Sequence, residues 1–363
     1  SLANFVIQSA GEFARLLIDL VEWFASLPGA TLTLPPFRMG EIFCYYTIVW
    51  GILFWKRKRT LAVFCLLTAL CTYTFLSVQK SVFSHHRGKL LIHFIDVGQG
   101  DSTFIQFPNG KTMLVDAGGS LFGSFDVGEK VVYPYLRYLR VSHLDFVVLT
   151  HPHPDHLGGL PFVVKNLSVG QFWHTGEKSR HPRYLDLTRI LRKKDTPIQR
   201  FLRYKKIYIG QISVEVLHPL PKPYEGHGYY WALHSNNNSL VLLITYGKNR
   251  ILLAGDIEKR GEELLSKRWP RLQADILKVP HHGSRTSSTS LLLDRIRPSH
   301  AIFCVGRGNQ FRFPHGNVIR RYRKRGIRIW QTARHGRILV ASDGNKLTFS
   351  TFLNTKKTVR HAN

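Results

Sequence analysis

The first 27 residues carry apolar side chains at the spacing of an amphipathic helix. Apolar residues recur every three or four positions from Leu2 to Leu27, and polar residues fill the opposite face. The run Leu27-Pro28-Gly29 ends the helix, and a Pro-Pro pair indicates an extended connector. We interpret residues 1–38 as this helix and its connector, with the helix lying in a membrane interface or packing in a globular protein.

Two uncharged, largely apolar runs follow at residues 42–55 and 60–79, separated by the basic turn Lys56–Arg59. The second run is long enough to match the hydrocarbon thickness of a bilayer. We therefore predict a transmembrane hairpin over residues 39–79, followed by a linker over residues 80–89. A buried helical hairpin in a globular protein is the alternative, although a run of adjacent charges between its helices fits it poorly.

The basic turn also predicts an orientation. Positive residues favour the cytoplasmic side of a membrane, which would place Lys56–Arg59 there and the chain after residue 79 outside the cytoplasm. Lys80, Arg87 and Lys89 lie just beyond the second run and oppose this orientation.

From residue 90 the apolar spacing changes to that of β-strands. The predicted strands are Leu90–Val97, Ser102–Phe107, Lys111–Val115, Phe146–Leu149, Gly170–His174, Ile212–Leu217, Ser239–Tyr246, Ile251–Ala254, Ile276–Val279 and Ala301–Val305. The predicted helices cover residues 127–140, 157–166, 183–194, 259–268, 287–295 and 316–325. This order predicts an α+β fold, a sandwich of sheets covered by helices, over residues 90–350, with residues 351–363 as a tail.

Composition adds a strong positive charge to this picture. Lys and Arg number 51 against 23 Asp and Glu, a formal net charge of +28. Such an excess predicts attraction to polyanions, either nucleic acid or anionic lipid. The 12% of aromatic residues and 44% of hydrophobic residues exclude a disordered basic tail. The 18 histidines against 4 cysteines favour a metal site over a disulfide framework.

Residues 151–156, with the sequence HPHPDH, form the sharpest candidate for chemistry. Alternating prolines exclude a helix, so His151 and His153 point the same way, as residues i and i+2 do in an extended chain. Two imidazoles on one side are half of a tetrahedral metal site, and Asp155 and His156 can serve a second metal. The alternative is a polar loop in which Asp155 caps a helix. Three histidines in six residues argue against this alternative.

Further acids and histidines recur at the ends of predicted strands. Asp116 and Asp256 each follow an apolar strand beside glycine, and His281 and His282 follow the strand Ile276–Val279. One such aspartate alone is usually a turn residue. Because strand ends at one edge of a sheet converge, the set predicts a common site.

These motifs resemble the metallo-β-lactamase superfamily and, within it, the C-terminal domain of ComEC-type DNA-internalisation (competence) proteins. The segments that carry the resemblance are Asp96–Ser102, Leu114–Gly119, Thr150–Gly159, Asn237–Leu242, Ala254–Ile257, Val279–Ser284 and Phe313–His315. The N-terminal helix, the Pro-Pro connector and the apolar runs are similar to the end of that family's membrane domain. We therefore interpret the chain as a fragment of a longer protein.

The resemblance implies an αββα sandwich with two divalent metal ions, and mixed nitrogen and oxygen ligands suit Zn²⁺ or Mn²⁺. The implied ligands are His151 and His153 for one metal, Asp155 and His156 for the other, Asp256 as a bridge, and either His281 or His282 to complete the second site. Asp116 would hold the metal loop in place without binding a metal itself. We take Asp116, Asp155 and His156 as catalytic candidates. A hydroxide held between the metals would attack phosphorus in line, and Asp155 or a neighbouring group would take its proton.

The third protein ligand of the first metal stays open in the sequence. The superfamily commonly supplies a histidine there, and the candidates in this region are His218, His234, Asn238 and Ser239. His218 can equally be a structural residue at the end of a strand. His315 is a candidate for contact with the substrate.

The segment from Arg295 to Ser342 is rich in basic residues and contains no acidic one. Basic side chains neutralise phosphates, and interleaved aromatic rings can stack on unpaired bases. The candidate DNA-binding residues are Arg312, Arg320, Arg321, Arg323, Lys324, Arg325, Arg328 and Trp330. The alternative is a basic helix on an anionic membrane surface.

Three functions remain open at this stage. The resemblance favours a metal-dependent nuclease anchored in the bacterial inner membrane, with its metal domain exoplasmic, that acts on DNA during natural transformation. Its partners would be DNA, the membrane, the remaining competence membrane domain and the uptake machinery. The alternatives are a catalytically silent DNA-binding or channel module, and a hydrolase of small phosphoesters or lactones.

Overall fold

The computed structural model describes residues 2–27, 37, 39–83, 88–119, 125–219 and 235–353. The chain divides into two compact units, Ser1–Met39 and Gly40–Asn363. The first unit contains helix α1 (Leu2–Ser26), which agrees with the helix expected from the apolar spacing. Its large apolar side chains, such as Phe5 and Trp23, are exposed.

The second unit begins with a hairpin of two helices, α2 (Met39–Phe54) and α3 (Arg59–Phe83). Cys44 is buried between them, with its Sγ 3.5 Å from the carbonyl oxygen of Ala69. Glu41 at the start of α2 forms an ion pair with Arg140, with 2.9 Å between Oε2 and Nη2. The hairpin is thereby tied to the rest of its unit.

The transmembrane hairpin expected over residues 39–79 is not confirmed. Helix α2 has 16 residues, and at 1.5 Å per residue it spans only about 24 Å of the roughly 30 Å hydrocarbon core. Among the residues that the structure describes, no helix is both long and apolar enough to cross a membrane.

Two sheets make up the rest of the second unit. The strands are β1 (Leu90–Phe94), β2 (Thr103–Gln106), β3 (Thr112–Val115), β4 (His143–Val148), β5 (Ser168–His174), β6 (Ile198–Arg200), β7 (Lys205–Ile209), β8 (Ile212–His218), β9 (Val241–Tyr246), β10 (Asn249–Leu253), β11 (Ile276–Lys278), β12 (His300–Phe303), β13 (Arg328–Gln331), β14 (Ile338–Ser342) and β15 (Leu347–Thr351). One sheet has eight strands in the order β15-β14-β1-β2-β3-β4-β5-β6. The other has seven in the order β13-β12-β11-β10-β9-β8-β7.

Helices cover the outer faces of both sheets. They are α4 (Tyr133–Tyr138), which continues a π-helical turn (Gly128–Val132), α5 (Pro154–Leu157), α6 (Leu160–Asn166), α7 (Pro182–Lys193), α8 (Lys259–Arg268), α9 (Ser290–Ile296), α10 (Gly316–Lys324) and α11 (Thr332–His335). Short 3₁₀ turns occur at Ser235–Asn238 and Pro280–Gly283. Residues 84–87 of the expected linker and 354–363 of the expected tail lie outside the described residues.

The apolar core lies in three layers. Phe94 of one sheet and Ile302 of the other belong to the cluster between the sheets. Leu160 and its neighbours cover the outer face of the eight-stranded sheet. Leu292 and its neighbours cover the outer face of the seven-stranded sheet. This arrangement confirms the αββα sandwich.

Parallel pairing brings the candidate loops to one edge. Strands β3 and β4 are parallel neighbours, as are β10 and β11, so the loops that follow each pair leave on the same side. The two sheets meet there, because Leu240 N donates to Thr150 O at 3.0 Å. Asp101 N donates to Asp155 O at 3.1 Å and joins two loops of the eight-stranded sheet at the same edge. The structure thus gathers four separate chain segments at one edge of the sandwich.

Candidate metal centre

The metal loop leaves β4 as extended chain and turns into the short helix α5. His153 is the residue before that helix, with extended dihedral angles of −82° and 150°, and Pro154 begins it. Gly119 allows the loop after β3 to pass close by, since a Cβ at that position would lie 1.9 Å from Pro154 O. The close packing of these two loops fixes the histidines relative to Asp116.

Four side chains form a tight buried group: Asp155, His156, Asp256 and His282. Their nitrogen and carboxylate oxygen atoms lie within 4.8 Å of one another. Asp101 and Asp116 form a second such group that shares His156. The ring of His151 lies 4.2 Å from that of His156 and 4.6 Å from that of His153, measured between centroids.

The Nδ1 atoms of the three buried histidines all face hydrogen-bond acceptors of the protein. His156 Nδ1 lies 2.8 Å from Asp116 Oδ2, and His282 Nδ1 lies 2.9 Å from the carbonyl oxygen of Cys304. His151 Nδ1 lies 3.1 Å from Thr150 Oγ1, whose own hydroxyl donates to Asp116. We therefore place the first proton of each ring on Nδ1, so that Nε2 is the nitrogen left for a metal ion or for a second proton.

The Nε2 atoms of His151, His156 and His282 are buried and make no hydrogen bond within the described protein. His156 Nε2 lies 3.2 Å from Asp256 Oδ2, and His282 Nε2 lies 3.3 Å from the same oxygen, but neither contact has hydrogen-bond geometry. Buried polar atoms normally have partners. Free imidazole nitrogens that face carboxylates, each oriented through its other nitrogen, are the donor set that divalent metal ions use. The residues therefore fit such ions.

Electrostatics within the group favour added positive charge. Burial alone would lower the pKa of His156 and of His282, but the surrounding aspartates, Asp256 above all, raise both well above the ordinary histidine value. Burial also opposes the charge on Asp256, yet His282, His156 and a neighbouring lysine hold its pKa well below the usual range. Metal ions and protons thus compete for the same nitrogen atoms.

Asp101 and Lys278 complete this network, and the sequence-based reasoning missed both as site residues. Lys278 is 2% exposed, its ammonium contacts Asp101, and its Nζ lies 3.4 Å from Asp256 Oδ1. Burial would lower the pKa of Lys278, but Asp101 and Asp256 raise it, so this lysine is charged. For Lys278 the available signal was a charged residue at the end of the otherwise apolar strand β11, three positions before the His-His pair.

The two adjacent histidines take different positions, and the structure brings only one of them to the cluster. His282 is 1% exposed and faces Asp155 and Asp256. His281 is partly exposed at the rim, where its Nδ1 lies 3.1 Å from Glu258 Oε1. Both have positive φ values, 47° and 54°, a backbone strain that separates the directions of the two rings.

The candidates for a third ligand lie behind or beside the metal loop. His218 Nε2 donates to Asn237 O at 2.7 Å and is thereby committed to the backbone. Ser239 Oγ accepts from Asp256 N at 3.0 Å and lies 3.3 Å from His151 Nδ1, so it positions both of these residues. Asn238 is buried, and its Nδ2 is unpaired within the described protein. His234 lies outside the described residues.

His315 does not lie in the buried group. It precedes helix α10, and its backbone N donates to Gly283 O at 3.1 Å. Burial and the charge of Arg285 lower the pKa of its side chain. The residue is therefore positioned beside the loop that carries the histidine pair.

The structure corrects one of the residues proposed for DNA binding. Trp330 is buried between the sheets and stacks on Phe349, with centroids 4.9 Å apart and an angle of 2° between the planes. Bases cannot stack on a ring that is already covered on this face and enclosed by the core.

The basic residues of the same segment fall into two groups. Arg321 donates to the carbonyl oxygens of Ser287 and Ser288, Arg325 pairs with Asp294, and Arg328 lies 5.0 Å above the Trp330 ring. These three side chains have structural partners. Of the residues proposed for DNA binding, Arg312, Arg320, Arg323 and Lys324 are exposed.

The class is defined by an αββα sandwich of the metallohydrolase type with candidate metal ligands, histidines and aspartates, gathered at its strand ends. The chain belongs to the metallo-beta-lactamase superfamily, whose family model matches residues 95–307.

Three relatives narrow the placement within the superfamily. The chain is 30% identical over 273 residues to ComE operon protein 3 of Bacillus subtilis, covering 72% of this chain and 34% of that protein. It is 30% identical over 247 residues to Recombination protein 2 of Haemophilus influenzae, covering 68% and 28%. It is 27% identical over 238 residues to Competence protein ComA of Neisseria gonorrhoeae, covering 65% and 30%. The resemblance to ComEC-type competence proteins is thereby confirmed, and the chain spans about a third of the length of these relatives.

Proposed function

We propose that the chain carries a metal-dependent phosphodiesterase that cleaves DNA during its uptake into a bacterial cell. One observation carries the proposal: three buried imidazole Nε2 atoms have no hydrogen bond, and two of them face the same oxygen of Asp256, in a chain of net charge +28. A site that gathers cations, on a protein that attracts polyanions, suits a phosphodiester substrate. The competence relatives supply the biological setting.

Six side chains would hold two divalent ions, Zn²⁺ or Mn²⁺. They are His151 and His153 for one ion, Asp155, His156 and His282 for the other, and Asp256 between the two. When bound, the ions would supply Lewis-acid stabilisation to a phosphoryl centre. We assign the completing histidine to His282 rather than to His281, since only His282 faces the aspartates.

The surrounding residues orient these ligands. Asp116 accepts from Thr150 N and Thr150 Oγ1 and faces His156 Nδ1, so it holds that ring in one orientation. Asp155 is the most accessible carboxylate of the buried group, with 16% of its side chain exposed against 2% for Asp256. An Asp155 oxygen is therefore our candidate to accept the proton of the attacking water.

Substrate binding and membrane association involve other surfaces. Arg312, Arg320, Arg323 and Lys324 are exposed and would contact phosphates of a single strand. Helices α1, α2 and α3 expose large apolar side chains, and we propose that they associate with the bacterial inner membrane, with the metal domain on its exoplasmic side.

A cleavage assay on the full chain in detergent tests the proposed activity. Labelled single- and double-stranded DNA is incubated with the protein and either Mn²⁺ or Zn²⁺, with a chelator in parallel. We expect metal-dependent cleavage that the His153→Ala variant loses while it still binds DNA. If folded wild-type protein binds DNA and cleaves none of it with either metal, the silent binding module is correct instead.

A further inference from the structure

A cavity of about 890 Å³ lies beside the metal centre and has no assigned role. Its walls are the loop after β12 and the start of α11, and they carry the exposed side chains of Arg307, Arg312 and Arg334. Among the residues that the structure describes, no acidic one lines it. Its volume lies within the range of about 300–1,000 Å³ that is typical of sites for small ligands.

Hydrogen bonds fix the loop that forms this wall. Asn309 Nδ2 donates to the carbonyl oxygens of Gly306 and Phe313, while its Oδ1 accepts from Phe313 N. Arg307 Nη2 lies 3.4 Å from the carbonyl oxygen of Ala333 and so links the two walls. Arg312 has a φ of 56°, an unfavourable value for a residue with a Cβ. The structure thus holds the arginines at the cavity by a fixed and locally strained loop.

One aromatic ring separates the cavity from the metal centre. Phe313 lines the cavity, and its ring centroid lies 6.4 Å from that of His282. The exposed ring of Phe311 stacks on Phe313, with centroids 5.4 Å apart and an angle of 22° between the planes. A ligand in the cavity would therefore contact the arginines and Phe313. Phe311 lies beside the cavity against Phe313 and is exposed, so a base that extends beyond the cavity can reach it.

We propose that this cavity is a subsite for a nucleotide next to the one that is cleaved: the arginines bind its phosphate, and Phe311 stacks on a base. The placement beside the scissile bond rests on the proposed function. Guanidinium groups bind phosphate oxygens in pairs, and base stacking on aromatic rings suits a single strand. A lipid headgroup offers the same phosphate, but it provides no planar base for Phe311.

The test measures binding separately from cleavage. The full chain in detergent is titrated with a fluorescent oligothymidine in the presence of a chelator, and anisotropy is followed at several salt concentrations. We expect the triple variant Arg307→Gln, Arg312→Gln, Arg334→Gln to bind at least about tenfold more weakly and to lower the salt slope by roughly 0.7 for each phosphate contact that is lost. Phe311→Ala should weaken binding without changing the salt slope.

A matched control removes the same charge elsewhere. The variant Arg192→Gln, Lys193→Gln, Lys248→Gln replaces three exposed basic residues outside the cavity and should bind within about threefold of wild type. Equal losses in both triple variants would overturn the subsite in favour of general charge attraction. If the cavity triple variant binds phosphatidylglycerol vesicles more weakly than wild type but binds the oligonucleotide equally well, the nucleotide subsite is overturned in favour of a site for a lipid headgroup. If wild type cleaves no DNA but the cavity variant alone loses binding, the proposed activity fails while the subsite stands.

Discussion

At the scale of single residues, the site depends on charges that are buried together. Lys278 lies between Asp101 and Asp256, and its ammonium offsets their charge together with His156 and His282. Removing one partner of a buried ionic group leaves the remaining charge without compensation. The chemistry of the site therefore depends on a residue that is no candidate ligand.

The variant Lys278→Met should lose stability, because the buried carboxylates of Asp101 and Asp256 would lose the ammonium group that contacts both of them. We expect the free energy of unfolding to fall by about 3–5 kcal/mol in the presence of a chelator. Urea denaturation of the full chain measures it, and the exposed Lys324→Met is the control, with a change within about 0.5 kcal/mol. A loss for Lys278→Met no larger than the control would contradict this role.

His218 should make stability fall in acid. Burial lowers its pKa to about 4, while in the unfolded chain it keeps the ordinary value of 6.5. The folded state therefore resists a proton that the unfolded state binds, so stability is full above the unfolded pKa and decreases as the pH falls towards 4. Between about pH 7.5 and about pH 5 the loss from this one residue is ~2 kcal/mol.

The variant His218→Gln removes the titrating imidazole, and with it the pH-dependent contribution of this residue to the free energy of unfolding. Its amide can still donate to Asn237 O. Its unfolding free energy should decrease less on acidification than that of wild type, by the same ~2 kcal/mol. Urea denaturation at both pH values measures the difference. Parallel decreases in the two proteins would show that His218 is not the residue responsible.

Sequence reasoning located the metal loop because its pattern is local. His151, His153, Asp155 and His156 fall within six residues. The chain is extended at His153, and Pro154 then begins the helix that carries Asp155 and His156. The choice between His281 and His282 was not accessible in this way, since it depends on two successive residues with positive φ. The role of Lys278 was equally inaccessible, because a strand pattern does not show which charges meet across the edge of a sheet.

At the scale of elements, the sequence predicted helices more accurately than edge strands. Helix α8, Lys259–Arg268, has the bounds that the apolar spacing indicates. Strands β13, β14 and β15 were not predicted. The first two lie in the segment from Arg295 to Ser342, whose basic residues favoured the interpretation as a polyanion surface. In the structure β14 pairs with β1, and Trp330 of β13 lies in the core between the sheets.

Gly128 should tolerate no side chain, in contrast to Gly316. A Cβ on Gly128 would lie 2.1 Å from the carbonyl oxygen of Gly159, just before helix α6, whereas the nearest atom to a Cβ on Gly316 is 3.7 Å away at the end of the Arg320 side chain. Both glycines begin helical segments. We expect Gly128→Ala to lower the free energy of unfolding by about 1–3 kcal/mol. Gly316→Ala should leave it unchanged or raise it by up to about 1 kcal/mol. Equal effects in urea denaturation would contradict the close packing of these segments.

At the scale of the whole molecule, the basic residues near the C-terminal end of the sandwich divide between partners within the protein and exposed positions. Arg321 and Arg325 bind the protein itself, while Arg307, Arg312 and Arg334 surround a cavity beside the metal centre. The apolar helices remain exposed in the structure, which is why we assign them to a membrane. The αββα sandwich forms the candidate metal centre because it brings the ends of strands from both sheets to one edge.

The central claim is that this edge binds two divalent metal ions through His282 and not through His281. It is tested most directly by measuring the metal content of the full chain by mass spectrometry, after loading with Mn²⁺ or Zn²⁺ and removal of free metal. We predict about two ions per chain for wild type and for His281→Ala, and about one for His282→Ala. Wild-type protein without bound metal, or equal losses in the two variants, would contradict the account.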